Sequence, residues 1–522
     1  MRASAAALAV AVAASLGGSA SAKPPWVKDF ALISKGISRA YDLGRIDSTQ
    51  AAGYRRDAAG ARNVLPKLRS SRYRTLAAVV HQVAGFWKGY DEPRGTTLFK
   101  TLSFNTKWLA VHWDAKSGTD AVDFSDGTWY RAFPGIGFQF HPLENFGKLN
   151  NFVTQKNDSR ATQLAAALMA RAVPYGNGIG WEYYFRFDGG RPPWVSGMAQ
   201  AVAAQALARA GAFLADPNLT ATSKRVYRTV PQLTRRVDAG RWIRHYAFSN
   251  VVVLNSQLQT IVSLEDYASA TGDQAAAALA TQLQHTATAM LPRFDTGAWS
   301  LYSLGGPEAT LDYHQYVVRL LTQLAKRTGD PTFAAYRQKF ADDLTTPPDV
   351  NAGPATPAFY PWPADGYKDA AALRFWVSKR STARILVENR PAKPVVVSRG
   401  WNTIYWAPGR IDAGTYTPDL HTVDVAGNAS DTQLPAVEVL RDTQAPTVSA
   451  SIGHRRLYWR GRDNASPWLT LRVVLHRKGQ VRNLVFRAMP FNGSVRLAIG
   501  PGWYVGLVAS DSSGNSTTVP VS

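Results

Sequence analysis

A proline-rich stretch from Thr345 to Pro357 divides the chain into two patterns that do not belong to one kind of fold. Before it, small and apolar residues recur at helical spacing, as in Leu76-Ala77-Ala78-Val79-Val80 followed by Val83 and Ala84, and again from Leu164 to Ala172. After it come short runs rich in β-branched residues: Ala383–Val387, Val395–Val397 and Leu469–Leu475. The last of these begins with the apolar/polar alternation of a half-buried strand. The change predicts a helical unit over residues 23–345, a linker over 346–357 and an all-β tail. The tail also repeats itself. Gly414-Thr415-Tyr416 leads to Asp424-Val425-Ala426-Gly427-Asn428, and Gly502-Trp503-Tyr504 leads to Asp511-Ser512-Ser513-Gly514-Asn515. The two copies are one small β-sandwich apart. This predicts modules over 358–442 and 443–522, with a boundary in Asp442-Thr443-Gln444-Ala445-Pro446.

The helical unit carries its own start and stop signals. Ser196 is a cap for an alanine-rich run to Ala210, with Gly211 as its expected stop. Thr271-Gly272-Asp273 and Thr328-Gly329-Asp330 each place a glycine where one helix can end and an aspartate where the next can begin. Pro331 then suits a first helical turn. Such repeated helix pairs suggest an (α/α) toroid, with an irregular helical domain as the plainer alternative. Two aromatic, glycine-rich stretches, Trp129–Phe146 and Pro174–Trp194, interrupt the helices and read as hairpins or long loops. Loops of this kind, held by rigid helices, carry function.

Composition narrows the chemistry. The chain of 522 residues has no cysteine, which excludes disulfides, thiolate metal sites and a cysteine nucleophile. Residues 1–22 read as a signal peptide: Arg2, an apolar stretch to Leu16, and Ala20-x-Ala22 as the cleavage site. That stretch is shorter and more alanine-rich than the roughly 20 strongly apolar residues of a membrane span. The expectation is therefore a secreted or cell-wall-associated protein without stable membrane insertion. The patterns G-x-S-x-G, G-x-x-x-x-G-K-[ST] and H-E-x-x-H are missing. Gly176-x-Gly178-x-Gly180 lacks the strand–turn–helix context of a dinucleotide site. His141 and Glu144 read as a packed or solvated pair before a metal site, since no further ligands cluster near them.

Aromatic residues make up 11% of the chain, including 16 Trp, and the net charge is +22. Core packing explains most of the aromatics. Flat rings also stack on sugars, and excess arginine attracts polyanions and clamps carboxylates. Export and the lack of nucleic-acid motifs favour an acidic glycan over nucleic acid as partner.

Four segments carry a resemblance. They are Pro193-Trp194-Val195-Ser196-Gly197-Met198-Ala199-Gln200; His245-Tyr246 with Val253-Leu254-Asn255; Leu291–Gly297 running to Leu301-Tyr302-Ser303-Leu304; and Asp312-Tyr313-His314. In order and spacing, residues 131–345 resemble the C-terminal catalytic region of D-glucuronyl C5-epimerases, which convert glucuronate to iduronate in heparosan-type chains. The tail resembles the Ig-like or fibronectin-like modules appended to secreted bacterial enzymes.

The resemblance implies an isomerase of uronate-containing polysaccharide, with no metal or organic cofactor. It places the acid/base tyrosines at Tyr246, Tyr302 and Tyr313. C5 epimerisation removes a proton α to a carboxylate and returns one to the opposite face. A tyrosine is a usable acid, but as a base it needs a cation to lower its pKa. In this reading Tyr246 and Tyr302 flank the ring, while Tyr313 and His314 support one transfer. Arg244, His245 and Arg293 are the nearby candidates to bind the carboxylate and its enolate-like form. Asn255 and Gln200 are candidates for sugar hydroxyls or for helix–helix hydrogen bonds, and Trp194 for stacking or for the core. The sequence departs from the family in places. His245 stands for a Glu found in the animal enzymes, Ala247 for the following Pro, and Gly305-Gly306 for a basic pair. The family's N-terminal β-rich region has no obvious counterpart. The alternatives are a uronate lyase; a glycoside hydrolase using carboxylates among Glu144, Glu182, Asp188 and Asp312; and a non-catalytic cell-wall glycan-binding protein.

Overall fold

The computed structural model describes residues 25–388, 390–500 and 502–521, so the expected signal peptide lies outside the described residues. The chain forms two units that part between Asp342 and Asp343. The first is mainly α-helical and the second is built of β-strands.

Four helices open the first unit: α1 (Pro25–Asp42), α2 (Ser48–Val64), α3 (Ser70–Gly85) and α4 (Glu92–Val111). They enclose a core of their own, with Ile33, Val79, Leu98 and Phe99 near its centre. The following helices are α5 (Pro142–Thr154), α6 (Asp158–Met169), α7 (Gly197–Phe213), α8 (Pro217–Tyr227), α9 (Leu254–Thr271), α10 (Gln274–Met290), α11 (Leu311–Thr328) and α12 (Pro331–Asp342). Helices α5, α7, α9 and α11 pack side by side in that order, and each also packs against the helix that follows it. Both stretches that interrupt the helices contain antiparallel hairpins. Thr128–Phe133 pairs with Gly137–Phe140, and Val173–Tyr175 pairs with Gly178–Gly180.

The helix boundaries follow from local chemistry. Asp47 and Gln50 form a reciprocal capping box at α2, and the Ser196 side chain accepts from Ala199 N–H at α7. Gly272 and Gly329 end α9 and α11 in left-handed conformation. Asp273 then caps α10, and Asp330 accepts from Thr332 N–H at α12. Gly211 behaves differently from its expected role as a stop, because α7 continues to Phe213. A Cβ there would meet Thr220 Oγ1 at 2.4 Å, Thr220 N at 2.9 Å and Asp216 O at 3.0 Å. The glycine lets α8 approach closely.

In the second unit the strands form two sandwiches, the first with sheets of five, three and two strands and the second with sheets of three and four. In the first, Ala371–Val377 lies between Val350–Ala352 and Gly400–Trp406, while Ser381–Val387 lies beside Asp419–Asp424. Ala371–Val377 and Ser381–Val387 alternate strictly between buried and more exposed residues. In the second, Arg456–Arg462 lies between Thr447–Gly453 and Asn492–Arg496. Leu469–Arg477 lies between Gln480–Met489 and Tyr504–Ser510. The stretch 346–357, read as a linker from its prolines, contributes strand Val350–Ala352 instead, since the residues between the prolines have free N–H groups for the ladder.

Gly211→Ala should destabilise the first unit by about 1–3 kcal/mol, because backbone atoms of α8 cannot rotate away from the new methyl. A glycine that merely weakened the helix would give the opposite sign. Urea unfolding of the two proteins decides between them.

Candidate active site

The three tyrosines come together through loops that lead into neighbouring helices. The Thr234–Val237/Gly240–Ile243 hairpin delivers residues 244–247 alongside residues 195–197, just before α7. Gly197 N–H donates to Arg244 O (3.0 Å), and Ala247 N–H donates to Val195 O (3.0 Å). A Cβ at Gly197 would lie 2.6 Å from Arg244 O, so this pinning requires glycine. Before α9, Val253 bridges to Ser303, and Leu254 N–H donates to Tyr302 O (3.2 Å). Tyr313 occupies the first turn of α11, with its ring centroid 5.1 Å from that of Tyr302. The phenols of Tyr302 and Tyr313 act electrostatically on Tyr246, so the three lie in one neighbourhood.

An aromatic wall stands behind Tyr246. Trp194 meets it edge-on at 5.6 Å, Phe187 lies 5.5 Å away, and Phe248 stacks parallel at 5.5 Å. Trp194 is buried, stacks flat on Tyr183 and donates its indole N–H to Phe185 O. It anchors the wall from within. Phe248 is 38% exposed and is the reachable ring of the group.

Burial raises the pKa of all three tyrosines above the ordinary phenol value. The neighbouring phenols Tyr302 and Tyr313 raise Tyr246 further, and Tyr313 raises Tyr302 further. Asp188, on the turn before Gly190, raises both. Arg131 opposes the rise at Tyr313.

Arg131 was absent from the candidates, because it lies more than a hundred residues before the tyrosines in sequence. The Thr128–Phe133 strand carries it into a buried position, held by Asp120 (2.8 Å) and Glu144 (3.0 Å). Its only sequence signal is a charged residue among Trp129, Tyr130 and Phe133 in a strand-like run. Glu182, one of the hydrolase candidates, is buried and bound by both arms of Arg94 at 2.9 and 2.8 Å.

The other candidates lie in varied settings. His245 touches Tyr246, with ring centroids 4.3 Å apart, and its Nδ1 lies 3.1 Å from Ser256 Oγ. Asn255 is buried in the first turn of α9. Arg244 contacts Ala247 O and opposes the rise of the Tyr175 pKa. Arg293 is exposed and paired with Asp238. Gln200 is fully enclosed and bonded to Ile179 O, Thr229 Oγ1 and Trp181 N–H, partners on a strand and in loops and not on a neighbouring helix. His314 is buried, stacked on Trp299 at 3.8 Å and bonded to Ser300 and Phe340 O. The structure gives Gln200 and His314 internal partners, whereas His245 and the three tyrosines share one site.

Residues 176–342 match the family model described as D-glucuronyl C5-epimerase C-terminus. This segment belongs to that family. The epimerase-family segment is about a third of the chain, runs from the Val173–Gly180 hairpin to the end of α12, and contains all three tyrosines. Arg131 lies outside it. No curated protein matches the chain. Among solved structures, an endoglucanase from Komagataeibacter sucrofermentans is similar at 14% identity and TM-score 0.29, over 40% of this chain and 72% of that one. The GH76 α-mannanase BT2949 of Bacteroides thetaiotaomicron is similar at 13% identity and TM-score 0.30, over 39% of this chain and 60% of that one. The fibronectin(III)-like modules of Clostridium thermocellum CbhA are similar at 13% identity and TM-score 0.14, over 33% of this chain and 93% of those modules. Among the described residues, no helix is long and apolar enough to cross a membrane.

Two histidines give this region a defined pH response. Burial pushes His245 down to about 4. Burial, with Arg131 and His245 nearby, pushes His141 down to about 3. His141 Nδ1 accepts from Glu144 N–H, so the folded form holds that nitrogen unprotonated. In the unfolded chain both titrate near 6.5 and take up protons first. Their contribution is therefore complete above pH 6.5 and is lost as pH falls toward 4. Unfolding at pH 7 and pH 5 should show the helical unit weakening with acid, and His245→Gln should flatten that dependence.

Proposed function

We propose that the protein is a carbohydrate C5-epimerase acting on a hexuronate of the glucuronate type within an acidic polysaccharide. The observation that carries this reading is the meeting of Tyr246, Tyr302 and Tyr313 inside the epimerase-family segment, with the buried Arg131 facing Tyr313. We read α5–α12 as part of an (α/α) toroid whose inner helices are α5, α7, α9 and α11. The residues ahead of α7, α9 and α11 then gather at one end, where helix N-termini favour negative charge. We also read the protein as exported, on its N-terminal sequence.

In this mechanism Tyr313 is the base. Arg131 is the cation that favours its phenolate. Tyr313 takes the proton from C5, and the electron pair passes into the neighbouring carboxylate. Its enolate-like charge is stabilised by N–H groups at the helix ends and by Arg131. Tyr246, the tyrosine most resistant to ionisation, donates a proton to C5 from the opposite face. Tyr302, with its ring centroid 5.1 Å from that of Tyr313 and its charge felt at Tyr246, is the relay that passes a proton from Tyr313 back to Tyr246 and resets the site.

The test is incubation with heparosan and other uronate polysaccharides in D₂O, with H5 followed by NMR. Loss of H5 and appearance of an iduronate spin system are expected. Tyr246→Phe and Tyr313→Phe should each slow this by roughly 10²–10⁴-fold, the usual weight of general acid–base catalysis. A C4–C5 double bond absorbing in the ultraviolet would make the enzyme a lyase, and binding without exchange across the panel would make it a glycan-binding protein. Arg131→Gln should move the rise of the pH–rate profile to higher pH, because Tyr313 loses the cation that favours its ionised form.

A further inference from the structure

The repeated Asp-x-x-Gly-Asn motif of the tail builds the same corner in both sandwiches, except for one residue. In the first, Asp424 Oδ1 accepts from Asn428 N–H, and Asn428 Nδ2 donates to Asp424 Oδ2 and to Leu344 O. In the second, Asp511 Oδ1 accepts from Asn515 N–H, and Asn515 Nδ2 donates to Asp511 Oδ2 and to Asp442 O. The connection that faces this corner leads into the central strand of the larger sheet in each case. In the first sandwich it carries Lys379, between Ala371–Val377 and Ser381–Val387. In the second it carries Asp463, between Arg456–Arg462 and Leu469–Arg477.

The exchange of lysine for aspartate reverses the charge at the centre. Lys379 is 2% exposed, and its ammonium lies 2.8 Å from Asp424 Oδ2 and donates to the carbonyl oxygens of Asp343 and Thr346. The first sandwich thus supplies its own buried cation, ringed by oxygens. At the same place in the second, Asp442, Asp463 and Asp511 converge, with one oxygen of each within 4.8 Å of the others. Oδ2 of Asp442 and Oδ2 of Asp463 are withdrawn from solvent without a hydrogen-bond partner. Burial and the charges of Asp442 and Asp463 raise the Asp511 pKa against the Asn515 hydrogen bonds.

We infer that the second sandwich binds a hard divalent cation, calcium, between Asp442, Asp463 and Asp511, at the position the Lys379 ammonium fills in the first. The donors are all oxygen, which selects a hard ion. Oxygens around calcium lie at about 2.3–2.6 Å from the ion, so a cluster of this width can share one. The ion gives the two orphaned oxygens the partner that the protein lacks. Because Asp442 sits in the segment joining the sandwiches, it also ties that segment to the second one.

The test uses the full chain, stripped with EDTA and desalted. Calorimetric titration with CaCl₂ at pH 7 should show one ion per chain, and calcium should raise the melting temperature of the β-rich unit. MgCl₂ at equal ionic strength should do less, because magnesium keeps its waters. Asp463→Asn should weaken calcium binding by roughly tenfold or more, since affinity follows ligand charge. Asp463→Lys should abolish calcium binding and melt in EDTA as the wild type does with calcium. Failure of the wild type to bind calcium or to shift its melting would overturn the inference. So would stabilisation by lowering the pH from 7 to 5 without any calcium response, which would make a shared proton the occupant. None of these readouts depends on epimerase activity.

Discussion

Helix α7 is buried along almost its whole length, and the helical unit is arranged around that fact. Fourteen of its residues are buried, half of them alanine, and α5, α8 and α9 all pack against it. Small side chains make this possible, since a helix clothed in leucine could not be approached so closely from several sides. Once α7 is fixed, so is the strand-like segment ahead of it, which carries Trp194 and receives residues 244–247. The geometry around Tyr246 is thus a consequence of packing well inside the protein. Tyr302 depends on the same frame at one remove, through its backbone bond to the start of α9.

Local signals in the sequence were read well where short-range chemistry decides the outcome. Ser196, Gly272 with Asp273, and Gly329 with Asp330 mark helix ends because capping involves only the next few residues. The change of pattern near residue 345 is visible because the two periodicities differ along the whole of each unit. Gly211 misled because a glycine that ends a helix and one that admits a neighbouring helix look the same in one dimension. The proline-rich stretch misled because a short strand needs only a few free N–H groups.

The site was legible only in part, for a related reason. The tyrosines emerged from a resemblance that covers the later helices. Arg131 came from a hairpin far upstream, and no local pattern joins it to Tyr313. Arg244 and Arg293 were nearer in sequence but point to other partners. The buried roles of Gln200 and His314 were equally invisible, because both depend on residues brought in from other elements. Proximity along the chain is a poor guide to electrostatics inside a bundle, where the nearest charge usually belongs to another element.

Main-chain hydrogen bonds, made by Arg244 O and Ala247 N–H, hold Tyr246 in place. Neither bond uses a side chain of the tyrosine's neighbours. Positions 244, 245 and 247 can therefore change identity while the phenol stays where it is, provided Gly197 keeps the backbones close. His245 and Ala247, which depart from the animal enzymes, occur at such positions. The arrangement separates two evolutionary demands: the phenol keeps its address, while the residues beside it remain free to change.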